Sequence, residues 1–513
     1  MRAKRLRLDA AAGPAGQLDL ALDTEAHALQ PELTSLLAWL RAQGAQLDGL
    51  RVACDASRGV GIFATRAFSP GETLAVVPRT CILTASTARE SPIGVRVRAA
   101  AREAAVEEEL TDDLLLWLVM SAGRRDKDCH WWPYLASLPA TSPEPCCWPE
   151  TSRAHLAGTP VGKTCEAAIA RIALGAQRVG AAVAARGALP EEAADESALL
   201  WARGMYVSRA YSGRLAECSA GAAAREGACT TAFLGVGEGG GGGVPDGACD
   251  VSGVLLPLLD LMNHAHGQPI TWVAEMDAVR FVAEVHVAAG EQVCTNYGAR
   301  PNEELLSSYG FALRDERADA LSLVLAARKE GEPVRRQTFY VRHSAHGGVP
   351  AGLLRALEAQ LASTDAGHGG GSGGTSAGGA SEAAAGDAGQ VAVSPEALEL
   401  LLSALASRKD GLKATAAEDK AALKAWAKLE RSTRRGKSKA EGGGAAAAAA
   451  AGGPSAASAG GGDVMAAERR AHVAEYRNGQ RRVLKEAIAQ VHGILSRMQR
   501  DDGEEGDGED DEQ

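Results

Sequence analysis

Aromatic residues make up only 4% of the 513-residue chain, so its 46% hydrophobic content rests on alanine and aliphatic side chains. That composition points to alanine-rich helices and spacers. The ten cysteines are scattered, and the one close pair, Cys146 and Cys147, lacks the two-residue spacer that turns two thiolates onto one zinc ion. A structural zinc cluster is therefore disfavoured. No apolar run reaches the roughly 18 to 20 residues needed to cross a bilayer, and the basic start, Met1 to Asp9, is not followed by a hydrophobic signal core. Asp9, Asp19 and Asp23 argue against a transit peptide. The expectation is a soluble intracellular chain with reduced thiols and no membrane partner, in cytoplasm, nucleus or plastid. Basic excess is also missing. The formal charge is −11, and nine acidic residues without a base lie in 501–512, so the rest is nearly neutral. Nucleic acid is not expected as a partner.

What is present is a chain long enough for two or three domains. Residues 1–28 read as disordered, and Pro31, Leu33, Leu36, Leu37, Trp39 and Leu40 then fall at helical spacing, with the helix ending near Gly44. From Leu50 to Val77 short apolar stretches broken by Gly59, Gly61, Pro70 and Gly71 predict paired strands. Residues 85–205 read as largely helical, and the glycine-rich 220–247 as a loop insertion. Strand-like sequence returns at Val254–Leu261, Arg280–His286 and Val293–Tyr297. Beyond about 325 helical patterns dominate to about residue 500, interrupted by spacers at 366–380 and 442–462, before an acidic tail at 501–513.

Two familiar motifs fail on context. Gly374, Ser376 and Gly378 match a serine-hydrolase elbow but lie in a polyglycine spacer, with no strand before and no helix after. Gly235, Gly237 and Gly240 match a dinucleotide fingerprint, yet more glycines and Pro245 stand where a helix N-terminus is needed. His264 and His266 could share a metal, but only His286 offers a third ligand, so a solvated or packed pair is favoured and no metal is expected.

The informative segments are weak singly and strong together. Arg58-Gly59-Val60-Gly61-Ile62-Phe63-Ala64 lets backbone approach a ligand closely. Ser208-Arg209 follows, then Asp260-Leu261-Met262-Asn263-His264, where a polar pair ends a hydrophobic run and must either knit backbone together or hold a polar ligand. Gly290-Glu291-Gln292-Val293 leads to Asn296-Tyr297-Gly298, and Asn302-Glu303-Glu304-Leu305-Leu306 to Tyr309-Gly310-Phe311.

With Trp132-Pro133-Tyr134, Leu138-Pro139 and Trp201-Ala202, these segments resemble the SET-domain methyltransferases, in the branch of the Rubisco large-subunit lysine methyltransferase, over most of the chain. Thr415-Ala416-Ala417-Glu418-Asp419, Tyr476-Arg477 and Arg481-Arg482-Val483-Leu484 look like that branch's helical substrate-binding domain. The resemblance implies an α+β chain: a SET-type knotted β fold at 29–324 with a helical insertion at about 85–205, then an all-α domain at 325–500. It implies S-adenosyl-L-methionine as methyl donor and a non-histone protein substrate, bound through the SET cleft and the helical domain by a monomer. Tyr297 would be the catalytic tyrosine. Arg58, Gly59, Gly61, Arg209, Asn263, His264, Tyr297 and Tyr309 would meet the donor, and Tyr309 and Phe311 would line the lysine channel, with Asp260 supporting the Asn-His loop.

The implied chemistry is an in-line methyl transfer to a neutral amine, in which positioning can supply roughly 7 to 11 kcal/mol of the barrier. A lysine of pKa near 10.4 must first lose its proton, which an apolar channel beside a positive sulfonium favours. Protein-lysine methylation is thus the leading expectation. Histidine methylation and a non-catalytic binding scaffold are the alternatives, and a plain core tyrosine is the alternative role for Tyr297.

Overall fold

The computed structural model describes residues 31–55, 59–215, 226–227, 253–265, 268–295, 297, 300–327, 335–365, 393–441 and 459–504. The two rejected glycine motifs, His266 and the acidic tail beyond Glu504 lie outside them. The chain divides into two compact units, the first comprising residues 1–83, 213–229 and 254–298, the second the remainder.

Unit 1 opens with helix α1 (Pro31–Ala42), whose Leu33, Leu36, Leu37 and Leu40 are buried at the predicted spacing. Strands β1 (Leu50–Asp55), β2 (Gly59–Ala64) and β7 (Gln292–Val293) form one antiparallel sheet with β2 in the centre. A second sheet has the order β3 (Thr73–Pro78), β6 (Ala278–Ala283), β5 (Ile270–Ala274), β4 (Glu226–Gly227). Ile62, Phe68, Leu74, Val77, Phe281 and Val293 are buried here, and Trp272 stacks on Phe281 at 4.5 Å between ring centroids. The predicted strand at Val254–Leu261 is not one. Leu255 makes a single bridge to Leu83, after which Leu258 takes a left-handed φ of 75° and the chain turns into a short 3-10 segment at Leu259–Leu261. A β-strand cannot pass through that conformation.

Unit 2 contains helices α2 (Ala85–Glu90), α3 (Pro92–Glu103), α4 (Asp112–Gly123), α5 (Trp132–Ser137), α6 (Glu150–Arg153), α7 (Pro160–Gly175), α8 (Ala181–Ala184), α9 (Glu191–Ala194) and α10 (Glu196–Arg209). Thr84, Ser91, Thr159 and Asp195 cap α2, α3, α7 and α10 with side-chain oxygens. Against the expected lack of a bilayer-length run, the helical span Pro160–Ala184 is long and apolar enough, by length and composition, to cross a membrane. Alanine supplies much of that apolarity. In the fold Cys165, Ala168, Ile172, Val179 and Val183 are buried, and Arg171 pairs at 2.5 Å with the buried Asp113 of α4.

After α11 (Asn302–Tyr309) comes a hairpin, β8 (Ala320–Ala327) with β9 (Arg335–Arg342), the second strand lying beyond residue 325, where helical patterns are expected. The apolar run of β8 carries no alternation to mark it as a strand. Leu321, Leu323, Phe339 and Val341 join Leu353, Leu357, Leu398, Leu401, Leu405, Val483, Leu484 and Val491 in one core. These come from α12 (Ala351–Asp365), α13 (Pro395–Gly411) and α15 (Ala459–Glu504). Helix α14 (Ala416–Glu441) begins with a reciprocal cap: Thr415 accepts from the Glu418 N–H, and Glu418 accepts from the Thr415 N–H at 2.6 Å. The next residue, Asp419, is fully buried and accepts from Arg477 and, at 2.6 Å, from Arg481 of α15.

Candidate functional site

The site is built on β2. Its central place fixes Gly61 opposite Ala53 of β1, with Ile62 paired to Val293 of β7. A Cβ at Gly61 would collide with Nε2 of Gln292 and stand 3.0 Å from Nδ2 of Asn263. Glycine is required so that two amide heads can lie against the strand's main chain. Asn263 uses its amide to donate to the Val60 carbonyl at 3.3 Å. The polar pair that ends the hydrophobic run thus knits backbone together.

The neighbouring residues extend this arrangement. Thr295 donates its N–H to the Asn263 carbonyl and accepts from the Ala265 N–H, both at 2.9 Å, making a parallel bridge between His264 and Thr295. Two residues on, the Tyr297 N–H donates to Nδ1 of His264 at 3.1 Å. That bond makes Nδ1 an acceptor and so assigns the proton of a neutral ring to Nε2. The rings of His264 and Tyr297 stack with centroids 5.0 Å apart and planes at 28°. The Tyr297 hydroxyl donates to the Met262 carbonyl at 3.2 Å. The phenol is therefore held at both ends, by a ring stack and by a main-chain oxygen, while the residue remains partly exposed.

Gly59, Gly61, Asn263, His264 and Tyr297 come together in unit 1, whereas Arg58 lies outside the described residues. Arg209, Tyr309 and Phe311 belong to unit 2. Arg209 ends α10, and the preceding Ser208 hydroxyl bonds the Gly204 carbonyl at 2.8 Å, serving its own helix. Tyr309 ends α11, where Gly310 at φ 75° supplies the left-handed cap and leaves no room for a side chain beside the Pro143 carbonyl. The Tyr309 and Phe311 rings lie 6.1 Å apart, and Phe311 meets His472 edge-on at 6.5 Å. Burial lowers the pKa of His472, which accepts from the Ala312 N–H at 3.2 Å. Gln292 stands in the Gly290–Val293 segment, and only the pairing of β7 with β2 brings it beside Gly61. Among the described residues no group of three or more His, Cys, Asp or Glu could hold a metal ion.

Residues 59–298 match the family model of the SET domain. That stretch of the chain is similar to the SET domain. Ribosomal lysine N-methyltransferase set10 of Schizosaccharomyces pombe is 42% identical over 76 residues, 14% of this chain and 14% of that protein. Ribosomal lysine N-methyltransferase 1 of Saccharomyces cerevisiae is 38% identical over 74 residues, 14% and 13% of the two chains. The actin-histidine N-methyltransferase of Danio rerio is 24% identical over 325 residues, 63% of this chain and 49% of the relative. The match thus spans about a seventh of the two yeast proteins and about half of the third. Among solved structures, the SET domain of LSMT bound to lysine and AdoHcy aligns with TM-score 0.58 and 18% identity over 90% of this chain and 91% of that one. Rubisco LSMT bound to AdoMet aligns with TM-score 0.56 and 19% identity over 92% of each. The matched stretch therefore has the LSMT fold, α+β with a helical insertion, and a largely helical region follows it.

Proposed function

We propose that the protein is an S-adenosylmethionine-dependent protein-lysine N-methyltransferase acting on a non-histone protein. The observation that carries this reading is the setting of Tyr297, a partly exposed phenol fixed by the His264 stack and the Met262 carbonyl beside a strand kept bare at Gly61. The buried Tyr206 also bonds a main-chain carbonyl, so what marks Tyr297 is a phenol held in this way while its residue stays partly exposed. The residues present fit the donor, because the amide heads of Gln292 and Asn263 gather against β2 where a polar ligand needs donors and acceptors. When bound, S-adenosylmethionine supplies a methyl group on a positive sulfonium. Gly59, Gly61, Asn263, His264 and Tyr297, with Arg58, Arg209 and Tyr309 by the family resemblance, would hold and orient it. Tyr297 would direct the attacking nitrogen through its hydroxyl, and Tyr309 and Phe311 would offer aromatic faces that tolerate a methylated ammonium.

Residues 29–324 would form the catalytic domain and 325–500 a protein-binding domain, in a monomer. The buried Asp419 and Arg477 and the half-buried Arg481 support the helical part of that division by joining the family-like segments. Six free cysteines among the described residues fit a reducing, intracellular compartment. A second reading, histidine methylation, is favoured by the length of the match to the actin-histidine enzyme. Incubation with radiolabelled S-adenosylmethionine and a cell extract, followed by mass spectrometry of the labelled protein, tests both. Methyl-lysine is expected; methyl-histidine would favour the second reading, and neither donor binding nor label would reject the enzyme.

A further inference from the structure

Helix α14 carries a charged face that the site does not use. Lys420, Lys424, Lys428 and Arg431 are exposed, and none has an ion-pair partner among the described residues. At 3.6 residues per turn the four fall within an arc of about 80°, and the three lysines repeat every ~6 Å along the axis. Asp419, Ala422, Trp426 and Leu429, which are buried or half-buried, occupy the opposite face. Residues 420–439 contain eight basic side chains and one acidic, Glu430. The near-neutral average of the chain conceals this local excess.

We propose that this face of α14 binds the phosphodiester backbone of a nucleic acid. Two features favour phosphates over an acidic protein. The only other exposed residues interleaved with the lysines are small, Ala421 and Ala425, so the stripe offers no aromatic or aliphatic anchor of the kind on which protein interfaces depend. A row of lysines suits phosphates, which need point charges rather than shaped pockets. The acidic residues 501–512 lie at and beyond the end of a helix that leads away from the stripe. Asp419 bonds Arg477 and Arg481, and Glu430 faces Glu468, so α14 and α15 run antiparallel. From Arg481, α15 advances roughly 35 Å away from the stripe before ending at Glu504.

The test is fluorescence anisotropy with the full chain and short labelled single-stranded RNA, duplex RNA and duplex DNA over a salt series. Binding to the duplexes is expected at about 1–100 µM, with a log–log salt slope near −3 to −4 for four neutralised phosphates. Comparable RNA and DNA affinities identify the shared backbone as ligand, and a preference for one names the source. The K420E/K424E/K428E variant should lose at least about tenfold in affinity and about three in salt slope, whereas a K163E/K485E control on other exposed positions should not. Circular dichroism confirms that both variants fold. Absence of binding at low salt, retained binding in the triple variant, or preference for a peptide of residues 501–513 over nucleic acid would each overturn the proposal.

Discussion

In unit 1 the polar side chains around β2 bond to main-chain atoms, Asn263 to the Val60 carbonyl and Tyr297 to the Met262 carbonyl. In unit 2 they bond to one another: Asp419 to Arg477 and Arg481, Tyr476 to Glu303 at 2.9 Å, and Arg482 to Asp319 at 2.6 Å. The first pattern shapes a loop and leaves faces of side chains available to a ligand. The second satisfies buried charges inside a helical core, where breaking one partner strands the others. Substitutions around β2 should therefore act on activity, and those in the helical lock on folding.

The largest effect is expected from Asp419→Ala. Removing the carboxylate leaves Arg477, itself 4% exposed, with a buried uncompensated charge, and chemical denaturation should show a loss of about 3–5 kcal/mol. A loss below about 1 kcal/mol would blur the contrast between the units. On the other side, Gly61→Ala pushes back the flexible Gln292 head, at little cost to folding. Displacing the amides by about 1 Å should slow methyl transfer on the order of 10²-fold while leaving the melting temperature nearly unchanged. A large fall in melting temperature with normal turnover would reverse that assignment.

Glu486 sharpens the comparison through pH. The Ser344 backbone N–H first, then His343 and the Ser344 hydroxyl, hold its carboxyl down at about 2, against the usual 4.5. A depressed carboxylate stabilises the fold fully above pH 4.5, and this contribution fades as pH falls toward 2. Glu486→Gln should flatten stability between those pH values, and an unchanged acid-unfolding curve would contradict it. The side chain is largely exposed, so the effect is modest. Smallest is Thr295→Val. The hydroxyl oxygen is buried with no hydrogen-bond partner among the described residues, so its removal should change stability by no more than about 0.5 kcal/mol or raise it slightly.

The sequence was most readable where chemistry restricts the residue type. Gly61 marked β2 because a bare Cα admits the amides beside it, and the abrupt Asn263-His264 pair marked the loop. The hairpin β8–β9 escaped because the run from Ala320 to Ala327 is apolar but for Ser322, and an unalternating pattern does not separate strand from helix. Residues 254–261 misled for the opposite reason: their composition suits a strand, and only the left-handed backbone at Leu258 forbids it. Gln292 gave no signal of its own, since its role depends on a strand pairing more than 200 residues apart in the chain. The lysine face of α14 disappeared into a whole-chain charge sum.

The central claim is that the phenol at 297 serves methyl transfer. Its most direct measurement is turnover of Tyr297→Phe with labelled S-adenosylmethionine, paired with calorimetry of donor binding. Transfer should fall by about 10²-fold or more, with donor affinity kept within about threefold. Wild-type turnover in that variant would contradict the account.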